Sequence, residues 1–280
     1  MPGMIKRWLR GRLGLGEPDL EEDLDEEDRE HGVLVRKGRL VALRTHVSAN
    51  RDAFQRWYGD PEIAAMLRHD LEPLTDWQSR GYFDSFIMPS SARGLCFAIH
   101  ERKGKRLIGT TALTDRTTTR DGDSALFRIA IGEKEVWGRG YGTEATRLVM
   151  EEAFEALGLT AVRLEVFGHN ERALATYQRV GFEVVGEHVE WVPRRKVELR
   201  VIEMRLTRER FEASSSEEER GTPGAASGGG SRNRSEISEA RETRKAKRAE
   251  RLRFKAERIS GRENGIPIRD EAAGPDVVAP

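Results

Sequence analysis

The chain has 280 residues, enough for one domain with terminal extensions or for two small domains. Its 48 basic and 48 acidic side chains cancel, so the net charge favours no class of charged partner. The single cysteine, Cys96, excludes an intrachain disulfide framework and an all-cysteine metal site, and no apolar run approaches the ~18 residues of a membrane-spanning helix. We therefore expect a cytoplasmic protein without a membrane span.

Residues 1–32 are predicted to form a disordered leader. Four basic residues lie among apolar ones over 4–13, and ten acidic residues with one arginine follow over 17–30. An acidic block this dense repels itself and buries little apolar surface. A membrane-surface helix is the alternative for the basic segment, but its nearby glycines limit the length of such a helix.

Residues 33–211 carry the hydrophobic patterning of a single domain, whose size allows roughly 70% of the unfolded surface to be buried. The periodicity predicts, in chain order, a strand over 38–47, helices over 52–67 (interrupted near Gly59 and Pro61) and 75–86, strands over 95–100, 107–113 and 125–131, a helix over 143–157, a strand over 162–166, a helix from Asn170 to Val180, and strands over 182–189 and 197–206. This mixed order, with a β-meander in the middle, is typical of an α+β, three-layer domain.

A glycine-rich loop, W-G-R-G-Y-G-T-E-A over 137–145, opens the strongest predicted helix. A helix N-terminus offers unpaired N–H groups and a partial positive charge, and glycines let an anion approach them. Thr143 and Glu144 exclude a G-K-[ST] phosphate loop, and Thr143 also breaks the dinucleotide fingerprint. The pattern indicates a phosphate or pyrophosphate site, and a tight turn without a ligand remains the alternative.

A second motif, N-E-R-A-L-A-T-Y-Q-R-V-G-F over 170–182, follows the next predicted strand. Together with the loop, it resembles the GNAT superfamily of N-acetyltransferases, in particular the RimJ/RimL-like branch of ribosomal-protein N-terminal acetyltransferases. The spacing of the motif is matched by Asn170, Ala173, Tyr177, Gly181 and Phe182. The resemblance covers about 38–206. It implies an acyl-CoA N-acyltransferase fold, with a mixed, mostly antiparallel central sheet and flanking helices.

The resemblance also implies acetyl-CoA as co-substrate and no metal cofactor. The residues that it assigns to the pyrophosphate are those of the loop: Arg139, Gly140, Tyr141, Gly142 and Thr143. Backbone groups around Ile131 and Val136 are expected to hold the pantetheine arm and polarise the thioester carbonyl. Asn170 is expected on the cofactor side.

Tyr177 is the expected general acid, which protonates the departing thiolate. A core tyrosine that packs with Ala173 and Leu174 is the alternative. No general base is evident, because A-L-F-R-I over 125–129 stands where relatives often have A-E-L-G-I, whose carboxylate serves as a base. Trp137, at the Gln/Arg position of the loop, is a substitution that backbone binding tolerates.

The missing carboxylate bears on the substrate. Deprotonating a lysine-like amine at pH 7 costs about 4.6 kcal/mol, whereas a peptide α-amine costs only about 1 to 1.4 kcal/mol. We therefore expect acetyl transfer to a protein N-terminal α-amine. Glu133, Glu135 and His169 are weak candidates for the base, and the spacing of the other histidines suggests no metal site.

Two alternatives remain open at this point. One is acetylation of a small molecule such as an aminoglycoside, a polyamine or an amino-acid analogue. The other is a catalytically weak module that binds acyl-CoA and docks through its tails. The groove formed by residues 50–90 is expected to decide between substrates. Monomer and dimer are equally compatible with the sequence.

Residues 212–280 are predicted to be a disordered, basic C-terminal tail. A Ser-, Glu- and Gly-rich linker begins at Ala213, and twelve basic and five acidic side chains follow over 232–262, a net charge of seven. Such a segment attracts RNA or ribosomes weakly and in a salt-dependent way. A solvated extension without a partner is the alternative.

Overall fold

The computed structural model describes residues 26–120 and 122–220. Within these ranges eight strands form one sheet in the order β1-β2-β3-β4-β5-β6-β8-β7. The strands are β1 (Leu34–Lys37), β2 (Val41–Arg44), β3 (Cys96–Glu101), β4 (Leu107–Thr119), β5 (Gly122–Ile131), β6 (Ala161–Phe167), β7 (Glu183–Val192) and β8 (Val197–Thr207). Neighbouring strands are antiparallel except β5 and β6, which are parallel. The predicted mixed, mostly antiparallel sheet is confirmed.

Helices flank this sheet. Those in the described residues are α1 (Glu26–His31), α2 (Arg51–Tyr58), α3 (Pro61–Leu67), α4 (Asp76–Tyr82), α5 (Met88–Ala92), α6 (Tyr141–Glu151), α7 (Glu171–Val180) and α8 (Arg208–Arg220). A turn of π-helix over Phe83–Ile87 joins α4 to α5, and a second turn of π-helix over Glu152–Ala156 extends α6. None of the helices in this part of the chain is both long and apolar enough to cross a membrane.

Local signals explain several boundaries. The Asp60 side chain accepts hydrogen bonds from the first N–H groups of α3, and Pro61 takes the first helical position, so the predicted break between α2 and α3 is confirmed. Gly181 adopts a left-handed conformation (φ 109°) and ends α7 as predicted. Cys96 is buried, and burial raises the pKa of its thiol to about 12, so the thiol is a core group.

The first predicted strand is corrected by the structure. Residues 38–47 do not form one strand, because the chain turns at 38–40 between β1 and β2, with the Gly38 N–H bonded to the Val41 carbonyl at 2.8 Å. Three N–H groups of this turn donate to the carboxylate of Glu144 in α6, and Gly38 leaves the room for that carboxylate. This long-range contact explains why local periodicity misplaced the strand.

Two short segments outside the predicted domain are helical. In the predicted leader, α1 is held by Arg44, a buried side chain that donates to Glu27 and, at 3.2 Å, to Asp28. Helix α8 runs to Arg220, beyond the predicted start of the linker at Ala213. The rest of the predicted leader and tail, including the basic stretch 232–262, lies outside the described residues.

Candidate active site at the diverging strands

The parallel strands β5 and β6 pair over only three positions. Ser124, Ala125 and Leu126 pair with Ala161, Val162 and Arg163. Beyond this point the strands run on to Ile131 and Phe167 without pairing to each other, so an opening forms between their carboxyl ends. Ligands commonly bind at the carboxyl ends of parallel strands, where the chain direction of the sheet changes.

Strand β5 presents backbone groups to this opening. The Gly132 N–H donates to the Ile108 carbonyl of β4 at 2.9 Å, and the Arg128 carbonyl accepts from Thr111 at 2.9 Å. Because bonding direction alternates along a strand, the N–H and C=O groups of Phe127, Ile129 and Ile131 point away from β4. These groups therefore face the opening.

The glycine-rich loop reaches α6 beside the opening. Gly140 has a left-handed conformation (φ 85°), and the first helical bond joins the Glu144 N–H to the Gly140 carbonyl at 3.0 Å. The N–H groups of Tyr141, Gly142 and Thr143 precede that bond and have no partner within the helix. This row of helix N-terminal amides lies where the sequence predicts an anion site.

Arg139 differs from the other loop residues. Its N–H makes a long bond of 3.4 Å to the Val136 carbonyl, while its side chain is exposed. The amide that sequence reasoning assigned to the anion is therefore engaged in the turn, and the exposed guanidinium is the group that Arg139 offers. Glu144 does not oppose an anion strongly, because the 38–40 turn binds its carboxylate.

Trp137 ties the loop to β5 and to α7. Its indole N–H donates to the Ile131 carbonyl at 2.7 Å, and the Arg172 guanidinium of α7 lies 3.8 Å from the centre of its ring. Ile131 thus keeps only its N–H for the opening. Val136 is buried, and both its N–H and its C=O are used within the turn. Phe127 and Ile129 replace Val136 as backbone candidates.

Asn170 and Tyr177 occupy the start and the middle of α7. The Asn170 side-chain oxygen accepts from the Ala173 N–H at 3.2 Å, which confirms the predicted cap and leaves its amide N–H₂ free of that bond. Tyr177 is buried, and its ring packs against Phe127 of β5 with 6.3 Å between the ring centres. Burial raises the pKa of Tyr177 above its ordinary value, so the hydroxyl stays protonated.

The three expected base candidates are engaged elsewhere. Glu133 accepts from Trp57 at 2.9 Å and from Arg56 at 3.0 Å. Glu135 pairs with Arg106, and His169 bonds the Ala65 carbonyl at 2.8 Å.

A chain of carboxylates and imidazoles that sequence reasoning missed lies on the other face of the sheet. His69 Nδ1 lies 2.6 Å from Glu190 and its Nε2 lies 3.4 Å from Glu165. His188 lies 3.0 Å from Glu190 and 3.1 Å from Glu203. We call these five residues the His–Glu chain. The described residues contain no cluster of such side chains arranged to hold a metal ion.

The pKa values within the His–Glu chain are shifted by mutual contact. Glu165 and Glu190 raise the pKa of His69 and outweigh its partial burial. The contact with His69 lowers the pKa of Glu165, and the nearby Arg128 lowers it further. Burial opposes ionisation of Glu190, but its two histidine partners outweigh this and lower its pKa. These contacts therefore favour the charged forms of the carboxylates and of His69 in the His–Glu chain.

An aromatic wall from the 50–90 region stands beside this face. Phe54 stacks on Tyr58 with 4.1 Å between ring centres, and Tyr82 stacks on Phe86 at 5.1 Å. Burial raises the pKa of Tyr82 to about 12, which the nearby Arg128 partly offsets. These rings lie in the 50–90 region, which the sequence indicated as the determinant of substrate choice.

Comparisons with known proteins fit this geometry. The family described as Acetyltransferase (GNAT) domain matches residues 40–183, more than half of the chain. Spermidine N(1)-acetyltransferase from Escherichia coli (strain K12) is 40% identical over 63 residues, 22% of this chain and 33% of that protein, and its counterpart from E. coli O157:H7 matches equally. The matched segment thus spans a third of the length of these curated relatives.

Solved structures share the fold at low sequence identity. A spermidine N-acetyltransferase from Vibrio cholerae in complex with CoA and spermine has a TM-score of 0.52 at 19% identity, covering 62% of this chain and 98% of that one. A GNAT-family acetyltransferase from Bacillus anthracis has a TM-score of 0.53 at 11% identity, covering 63% and 99%. The predicted acyltransferase fold is confirmed by these likenesses.

Proposed function

Because the chain belongs to the GNAT acetyltransferase family, we propose that it transfers an acetyl group from acetyl-CoA to a primary amine of a small polyamine-like molecule. The observation that carries the proposal is the opening between β5 and β6, which has helix N-terminal amides on one face and carboxylates on the other. Two reactants that enter from opposite faces meet at the gap in the sheet.

The acyl donor binds on the helix-facing side. The N–H groups of Gly140, Tyr141, Gly142 and Thr143 bind the pyrophosphate, because they have no partner within the helix and carry its positive dipole. The exposed Arg139 guanidinium adds a positive charge to this row of amides.

The pantetheine arm lies along the strand edge of β5, where it adds hydrogen bonds as a peptide strand would. Phe127 and Ile129 offer both backbone groups there, and Ile131 offers its N–H to polarise the thioester carbonyl. Asn170 contributes its side-chain N–H₂ from the start of α7.

Tyr177 assists departure of the thiolate. Its hydroxyl has no hydrogen-bond partner among the described residues, and its ring is fixed by Phe127 and Phe182. A thiol has an ordinary pKa near 8.5, below that of tyrosine, so full proton transfer to a free thiolate is uphill. The hydroxyl therefore acts as a hydrogen-bond donor while the C–S bond breaks, and the proton follows the growing charge on sulfur.

The amine side favours a small polycation over the protein N-terminus expected from the sequence. That expectation rested on the absence of a carboxylate at Leu126. Glu165 supplies a carboxylate from β6. It lies on the same face of the sheet as Leu126, two residues beyond Arg163, which is the register partner of Leu126. Glu190 and Glu203 extend the negative charge outward, and relatives with local sequence similarity are named for spermidine.

Turnover of acetyl-CoA against a matched panel of amines tests the proposal. The panel contains spermidine, butylamine, an N-terminal peptide and a lysine peptide with a blocked N-terminus. We expect spermidine to give the highest kcat/KM, with butylamine lower because it lacks the additional charges. Faster turnover of the N-terminal peptide would instead support acetylation of a protein N-terminus, as expected for the ribosomal-protein N-terminal acetyltransferases. Absence of turnover with every amine, together with retained acetyl-CoA binding, would favour a binding module.

A further inference from the structure

We propose that His69 accepts the proton of the substrate amine, with Glu190 fixing its ring and Glu165 holding the ammonium group. This role rests on the proposed function and adds the general base that the sequence of β5 lacks. His69 lies after α3, whereas its two partners come from β6 and β7.

The geometry sets the tautomer of His69. Nδ1 lies 2.6 Å from the Glu190 carboxylate, so Nδ1 carries the proton when the His69 ring is neutral, and the lone pair is then on Nε2. A carboxylate at Nδ1 is the arrangement that orients a histidine base in hydrolase triads. Nε2 lies 3.4 Å from Glu165, beyond the usual 2.7–3.2 Å range for such a bond. An ammonium group placed beside both atoms can donate one N–H to each.

Glu165 and His69 lie beside the opening between β5 and β6. Arg163 is the last residue of β6 that pairs with β5, and Glu165 comes two residues later, so Glu165 lies directly past the point where β5 and β6 separate. The neighbouring Leu164 and Val166 are buried in the core on the helix face, which places Glu165 on the opposite face. The His69 ring is held edge-on against Phe167 with 5.2 Å between ring centres.

The atoms balance without a further reagent. The ammonium group gives one proton to His69 Nε2, and the resulting lone pair forms the C–N bond at the acetyl carbonyl carbon. The C–S bond breaks with its electron pair on sulfur, and the second proton of the nitrogen passes to sulfur with the help of the Tyr177 hydroxyl. The proton on His69 leaves to solvent, so the products are an amide, a thiol and one proton.

The outer part of the His–Glu chain offers that proton a route. Glu190 contacts His188 at 3.0 Å, and His188 contacts Glu203 at 3.1 Å, with the His188 side chain 41% exposed. Carboxylates and imidazoles alternate along the whole path, so each step joins a donor to an acceptor.

The charges around His69 set the pH dependence. Glu165 of β6 and Glu190 of β7 face the ring directly, Arg128 of β5 acts on Glu165, and His188 acts on Glu190. On its own segment, Asp70 is paired with Arg68. The effect of the two carboxylates dominates. The limb of the kcat/KM–pH profile that reports deprotonation of His69 therefore has an apparent pKa above the ordinary histidine pKa of about 6.5.

The test is the pH profile of spermidine acetylation by His69→Gln, Glu190→Gln and a control, His31→Gln on α1. We expect His69→Gln to lose about 10²-fold or more in kcat/KM at pH 7 and to lose the histidine limb, so that its rate follows the amine's own deprotonation. Glu190→Gln keeps an acceptor for Nδ1 but removes a charge, so its limb should move to lower pH by about one unit. The control should keep the wild-type profile.

Any other result contradicts either the role of His69 or the proposed function. An unchanged rate and limb in His69→Gln would remove His69 from the reaction and leave the acetyltransferase assignment intact. Absence of turnover by the wild-type protein with all amines would overturn the proposed function and the role of His69 together. Calorimetric binding of acetyl-CoA shows whether each variant is folded. If His69→Gln fails to bind, an unshifted limb in Glu190→Gln contradicts the proposal.

Discussion

The glycine-rich loop beside the opening is one continuous stretch of chain, whereas the His–Glu chain on the opposite face is assembled from distant ones. Residues 137–145 offer the backbone groups of the proposed anion site, which any sequence with the right glycines can present. The His–Glu chain depends on side chains, and its contact between His69 and Glu190 spans 121 residues. The proposed donor loop is thus specified locally, and the proposed amine site by tertiary pairing.

This difference predicts that mutations on the two sides of the opening affect different properties of the enzyme. A change on the donor side should alter acetyl-CoA affinity and leave the pH profile unchanged. A change on the amine side should alter the pH profile or the choice of amine and leave acetyl-CoA affinity unchanged. Variants that mix the two effects would show that the sides are coupled through the sheet.

The largest effect is expected between the two sides, at Tyr177. Tyr177→Phe keeps the ring against Phe127 and Phe182 and removes only the hydroxyl. We expect kcat to fall about 10²-fold or more, because the departing sulfur loses its hydrogen-bond donor. Acetyl-CoA affinity, measured by calorimetry, should not change. Wild-type kcat in the variant would make Tyr177 a core residue, the alternative left open by the sequence.

The same contrast explains how far the sequence predicted this molecule. The loop, the cap at Asn170 and the end of α7 at Gly181 were predicted correctly, because each depends on residues within one turn. The alternation of Leu164 and Val166 with exposed neighbours indicated which face Glu165 occupies. Its partners were beyond prediction, because strand register and the placement of the 68–72 segment decide which distant side chains meet.

The amides assigned to the donor also show the limit of motif matching. The motif identified Val136 and Arg139 by position, but the turn uses both Val136 backbone groups and the Arg139 N–H. Motif spacing specifies which residues approach a ligand. Only the hydrogen-bond pattern specifies which of their groups remain available.

A smaller effect, confined to the donor side, is expected at Gly142. A Cβ there would meet Ile131 at 3.6 Å, an ordinary contact, so Gly142→Val should fold. Its methyl groups would cover the helix N-terminal amides, and loss of one charge-assisted hydrogen bond weakens binding by about 1.5–3 kcal/mol, roughly 10- to 100-fold in Kd. Calorimetry with acetyl-CoA measures the change.

The matched control is Gly81→Val in α4, where nothing lies within 4 Å of the added Cβ. It should bind acetyl-CoA as the wild-type protein does. A folded Gly142→Val variant with wild-type affinity would contradict the proposal that this loop binds the pyrophosphate. It would also contradict the proposed distinction between the two sides.

The smallest expected effect concerns Arg172, which joins the loop to α7 through the Trp137 ring. Arg172→Gln removes a cation–π contact that contributes about 0.5–1 kcal/mol at an exposed site, so Kd for acetyl-CoA should rise about two- to fivefold. Arg179→Gln, an exposed change in the last turn of the same helix, serves as control and should leave Kd unchanged. The amine preference and the pH profile should stay as in the wild-type protein, because the contact of Arg172 is with Trp137 of the donor loop. A shift of that profile in Arg172→Gln would mean that α7 transmits changes from one face of the opening to the other, and the two sides would then have to be treated as a single site.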